Sequence, residues 1–193
     1  MDTAYRSYLS INHKPKAVPY GGDGRIREDG DANYGFKDLK GKPSLLVTIP
    51  ELKCDPALMA LVEAINGNQT GLFSVGCVSG PVSDEKGFRH SGYVEFAMNS
   101  NSGVADARNY FPLFFHFDRL AHENSFAYKV DLHWELQPAH FLERKIDGFT
   151  CTIFVNTYYY PTKTEADEAW SYTLNALAGF LQGVPQQGSQ SLY

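Results

Sequence analysis

Between Tyr128 and Gln137 apolar and polar residues alternate without interruption. Successive side chains of a strand point to opposite faces, so this pattern predicts a strand with one buried and one open face. Tyr128, Val130, Leu132, Trp134 and Leu136 fall on the buried side. Lys129, Asp131, His133, Glu135 and Gln137 fall on the other.

A second alternating run follows Asp147-Gly148, a dipeptide suited to a two-residue hairpin loop. With that loop as the tip, Ile146 faces Phe149 and Leu142 faces Ile153. The buried face then gains Phe149, Cys151, Ile153, Val155 and Tyr159. The open face gains Thr150, Thr152, Asn156, Tyr158 and Tyr160. Pro138 cannot donate to a ladder, so a bulge or break is expected beside it.

The remaining punctuation predicts further elements. Leu45–Ile49 reads as a buried strand stopped by Pro50. Asp55-Pro56 caps a helix whose stripe is Leu58, Leu61, Val62 and Ile65 and which Asn66-Gly67 ends. Phe73–Ser79 and Tyr93–Met98 read as strands joined by a loop containing Gly80-Pro81 and Gly87. Tyr110, Leu113, Phe114, Phe117, Leu120 and Ala121 form a helical stripe with Pro112 in its first turn or at a kink. Thr162 and Glu165 form a capping box for a last helix lined by Trp170, Leu174, Leu177, Ala178 and Leu181. The order βαββαββα predicts an α+β fold: an antiparallel sheet with a ferredoxin-like βαββαβ core, an added strand and a C-terminal helix, with helices mainly on one face.

The chain has 193 residues, a length that fits one domain with a real core. It divides into an irregular arm over 1–43, a core over 44–184 and a polar tail over 185–193. No stretch matches a membrane helix, and the N-terminus lacks a signal peptide's apolar region. Cys54, Cys77 and Cys151 are odd in number and set in apolar surroundings, which predicts buried thiols in a reducing, cytoplasmic compartment. Residues 1–53 carry nine Lys/Arg against seven Asp/Glu, and the remainder eight against fifteen. The acidic remainder argues against nucleic acid and suits a basic protein partner.

Motif chemistry is sparse. Asp29-Gly30-Asp31-Ala32-Asn33 has a calcium-loop start but lacks the glycine and glutamate that should follow, with Tyr34 and Lys40 in their places. Gly21-Gly22-Asp23-Gly24 follows no strand and opens no helix, so it is read as a turn and not as a phosphate loop. No spacing fits a metal site or a nucleophile elbow, and no cofactor is expected. His116 and His122 lie on different faces of one helix. The strongest cluster is Asp131, His133 and Glu135 with Tyr158 and Tyr160 on the open face. Carboxylates flanking an imidazole suit ligand binding or proton transfer, and exposed aromatics beside charge suit a binding surface. The expected function is a non-catalytic binding or inhibitor protein, comparable in composition to immunity-type inhibitors. The alternative is a small-molecule enzyme or ligand-binding domain using His133 with Asp131 or Glu135.

Overall fold

The computed structural model describes residues 5–20, 35–124 and 126–186. Its strands are β1 (Tyr5–Ile11), β2 (Lys16–Val18), β3 (Leu72–Asp84), β4 (Gly87–Met98), β5 (Val130–Phe141) and β6 (Ile146–Thr157). The helices are α1 (Pro50–Lys53), α2 (Pro56–Asn66), α3 (Asn101–Val104), α4 (Phe111–Glu123) and α5 (Lys163–Leu181). The fold is α+β. The sheet runs β1-β5-β6-β4-β3, and β2 also pairs with β5. Both N-terminal strands pair with β5 in parallel, so the sheet is mixed where an antiparallel one was expected.

The ferredoxin-like weave loses its first element. Leu45–Ile49 is not a strand but part of a 3₁₀ turn, Pro43–Thr48, in which only Leu46 is buried. Val47 is 59% exposed, and an apolar run this short has no period that separates a core strand from a surface turn. The expected irregular arm supplies β1, which does not restore that weave: it lies at the end of the order β1-β5-β6-β4-β3, parallel to β5. The 21–34 segment, with the calcium-like and glycine-rich stretches, and the tail from 187 lie outside the described residues.

The β5–β6 hairpin turns at 142–145, not at Asp147-Gly148. Phe141 faces Ile146, and Ile153 faces Trp134 in place of Leu142, a displacement of eight positions. Lys145 takes the positive φ (52°) of this turn. Because eight is even, the assigned faces survive the shift. Gly148 serves another purpose: a Cβ there would stand 2.5 Å from the Val104 carbonyl oxygen of α3. Asp147 sits opposite His140 and bonds its Nδ1 at 2.7 Å. Leu142, placed at the turn, is half exposed. The bulge or break expected at Pro138 does not occur in the hairpin, because Pro138 pairs opposite Phe149 in an unshifted register; on the other edge of β5, β1 pairing ends at Leu136 and β2 pairing starts at Ala139.

β3 and β4 are longer than expected. They absorb Gly80-Pro81 and meet in a tight turn at Glu85-Lys86, with Gly87 at φ +120°. The capped helices match the sequence. Asp55 Oδ1 accepts from Leu58 N at 2.9 Å, Thr162 and Glu165 form a reciprocal capping box, and Pro112 lies in the first turn of α4.

One sheet face carries the core. Val130, Leu132, Trp134 and Leu136 lie beneath Phe114 and Phe117 of α4 and the apolar face of α5. The thiols divide: Cys151 is buried, Cys77 is half-buried and Cys54 is exposed at the end of α1. Cys54 thus departs from the expectation, because α1 is a single surface turn. Among the described residues no helix is long and apolar enough to cross a membrane.

Candidate functional site on the second sheet face

The pairing register brings four strands into rows on the face away from the helices. Arg6, Tyr8 and Ser10 of β1 lie beside Asp131, His133 and Glu135 of β5. Those residues lie beside Asn156, Phe154 and Thr152 of β6. Ser91, Tyr93 and Glu95 of β4 complete the rows.

The middle row is a train of rings. Tyr8 stacks on His133 with centroids 4.4 Å apart and planes 14° apart. His133 stacks on Phe154 at 5.4 Å, and Phe154 meets Tyr93 at 5.8 Å. His133 is therefore held between two rings, and its Nε2 lies 2.6 Å from Ser10 Oγ. Tyr8 is 54% exposed and opens the row to solvent.

The rows on either side are polar. Arg6 grips Asp131 with two bonds, Nε to Oδ1 at 2.7 Å and Nη2 to Oδ2 at 2.9 Å. Tyr158 donates to Asp131 Oδ1 at 3.2 Å and lies under the Arg6 guanidinium. Partial burial and the Asp131 charge push the Tyr158 hydroxyl up from its ordinary value. In the other row Asn12 donates to Glu135 Oε1 at 3.2 Å. Lys16 reaches across this end of the face to pair with Glu95.

That end is roofed. Thr150 and Thr152, expected to be open, are buried, as are Ala139, Phe141 and Val18. Tyr20 crosses to β3 and donates to the Val75 carbonyl at 3.2 Å. The chain after β2 thus closes one end of the face and leaves the aromatic row at the other.

Of the five residues singled out in the sequence, Asp131, His133 and Glu135 stand in line as expected. Tyr158 joins them beside Asp131, not opposite Gln137, because of the shifted turn. Tyr160 does not join them. It lies past the end of β6, bridges to Phe88 and accepts from Lys129 N at 3.0 Å. Sequence reasoning missed Arg6, Tyr8, Ser10 and Asn12, which belong to β1. Polar Ser7 falls among the core-facing residues of β1 and aromatic Tyr8 among the open-facing ones, so the run carries no clear apolar–polar period.

Cavities lie on both sides of the sheet. One of about 380 Å³ lies along β3, between Tyr20, Glu51 and Cys77, where burial pushes the Cys77 thiol up to about 12. Another of about 440 Å³ lies between α2 and α5, beside Cys54, His90 and Asp167. A third of about 490 Å³ follows β1. None of these three is lined by His133 or Glu135. No group of His, Cys, Asp and Glu among the described residues could hold a metal ion. No family model, curated protein or solved structure matches this chain.

Proposed function

We propose that this chain is a non-catalytic binding protein whose working surface is the open sheet face. The observation that carries this reading is the row Tyr8–His133–Phe154–Tyr93, in ring contact across four strands and open at Tyr8. Rings locked by their neighbours lose little entropy when a partner covers them, and aromatic anchors carry much of an interface's energy. The flanking groups set the partner's character. Asp131 and Glu95 are already paired with Arg6 and Lys16, whereas among the described residues Glu135 holds only an amide donor. A basic protein surface supplies the missing charge. Its finer form is an inhibitor that covers a basic cleft on its target, as an immunity-type protein does.

The test places a photo-crosslinking residue at Tyr8 and, as control, at Phe115, which is exposed on α4. A single adduct formed from position 8, absent from position 115 and lost with His133→Ala, is expected. Equal adducts from both positions, or an adduct indifferent to His133→Ala, would refute this surface.

One contact favours a second reading. Ser10 Oγ and His133 Nε2 are within hydrogen-bonding reach, as a nucleophile and its base must be. Among the described residues no carboxylate bonds the His133 ring to orient it. Ester turnover that disappears in Ser10→Ala would shift the assignment to an enzyme.

A further inference from the structure

The cavity along β1 contains a chemical mismatch. Tyr5 and Ser7 of β1, Asp118 and His122 of α4, and Arg6, Tyr8 and Asp131 at the sheet edge line it. Tyr5 is 5% exposed, yet among the described residues neither its hydroxyl nor the shielded Ser7 hydroxyl finds a partner of good hydrogen-bond geometry, although Ser7 and Asp118 both stand close enough to act on the Tyr5 phenol. Buried hydroxyls are ordinarily paired, because an unpaired one forfeits its bonds to water. Here two occur two residues apart on one face of one strand and beside the same cavity. Burial raises the Tyr5 phenol well above its ordinary value, so it remains a neutral hydroxyl.

The charge around these oxygens is negative. The Arg6 charge is offset by its two bonds to Asp131. Among the described residues the Asp118 carboxylate faces the Tyr5 hydroxyl and His122, whose Nδ1 stands 3.8 Å from Asp118 Oδ1 and is bonded instead to the Asp118 backbone oxygen at 2.8 Å. The remaining walls are rings: His122 meets Tyr5 edge to face at 5.4 Å, and Tyr8 lies at the rim.

We propose that this cavity receives a lysine side chain of the protein partner, its ammonium bound by Asp118 and by the Tyr5 and Ser7 hydroxyls. An ammonium has three rotatable donors and no acceptor, which suits three separate oxygen acceptors. A guanidinium is a planar fork made for one carboxylate, and an anion would face Asp118. The aromatic walls accommodate the methylene stem and add cation–π attraction. The lysine tip must pass the rim to reach the two shielded hydroxyls. β1 ends the sheet path, so a peptide carrying that lysine also meets the outer edge of a strand.

This inference rests on the binding-protein reading but is tested without the partner. Nuclear magnetic resonance titrations compare Nα-acetyl-lysine methylamide with its norleucine analogue, which keeps the stem and lacks the charge. Saturable shifts of Tyr5, Ser7 and His122 are expected for lysine alone. Asp118→Asn should weaken them about tenfold or more, the scale of a lost charge-assisted bond. Tyr5→Phe separates binding from folding: it removes an unpaired hydroxyl, so Tm should stay level or rise while lysine binding weakens. Equal shifts with norleucine, or binding unchanged in Asp118→Asn, would overturn the proposal. So would a free diamine binding as tightly as a lysine within an extended peptide, since the ligand would then be a free amine. Failure here alongside a position-8 adduct lost in His133→Ala would remove the lysine pocket and leave the aromatic surface standing.

Discussion

At the scale of single residues, glycine and tryptophan show what packing demands. Gly148 and Gly179 are the same residue in opposite settings. A methyl group on Gly148 would collide with the α3 backbone, whereas one on Gly179, exposed on α5, would meet nothing within 4 Å. Gly148→Ala should therefore destabilise by about 1–3 kcal/mol, the cost of overpacking. Gly179→Ala should stabilise by about 0.5–1 kcal/mol through helix propensity. Urea denaturation of both variants checks the pair, and equal effects would show that the α3 contact is not close. Trp134 is fully buried between Phe96, Phe114 and Phe117. Trp134→Ala should cost about 3–5 kcal/mol, and an unchanged melt would contradict its place in the core.

At the scale of elements, the sequence was legible where a local signal had one structural meaning. Asp55-Pro56, the capping box at Thr162 and the long alternation from Val130 each name their element because the cap or the period is chemically specific. Asp147-Gly148 misled because the same dipeptide suits a turn and a close approach of two backbones, and nothing local tells them apart. β1 was illegible for a different reason. Its open-face residue Tyr8 is aromatic, so the alternation does not read as apolar against polar, and its partner β5 lies more than a hundred residues away. The candidate site was half legible on the same grounds: β5 supplied its part from one run, while β1 joins only through tertiary pairing.

Asp55 shows how an element signal carries more than its local role. Its Oδ1 caps α2, while Oδ2 accepts from Ser79 Oγ at 2.5 Å and from Trp170 Nε1 at 2.6 Å. One carboxylate thus ties α2, β3 and α5 together. Asp55→Ala should cost well beyond the ~1 kcal/mol of an ordinary cap, because Trp170 Nε1 also loses its buried acceptor at about 1–3 kcal/mol. Asp55→Asn keeps one oxygen acceptor and should fall between wild type and Asp55→Ala. Denaturation midpoints in that order are the expected result; an alanine variant no worse than a simple cap loss would mean that Trp170 finds another partner.

At the scale of the whole molecule, the sheet joins two parts of unequal permanence. β5, β6 and β4 are paired on both sides and covered by α4 and α5, so their hydrogen bonds should open only with global unfolding. β1 has one paired edge, a parallel ladder and a contact with α4. Yet β1 supplies Arg6, Tyr8 and Ser10 to the open face and Tyr5 and Ser7 to the cavity. The proposed surface therefore depends on an edge strand, and a partner that covers it should add protection to that strand. Amide hydrogen exchange should show β1 exchanging by local opening, with protection below that of β5 and β6 in the free protein. Addition of a ligand for the open face or the β1 cavity should raise β1 protection toward that of β5 while leaving the β5–β6 hairpin unchanged. Free-state protection of β1 equal to the global value would mean that the strand is locked before any partner arrives, and the surface would then be preformed.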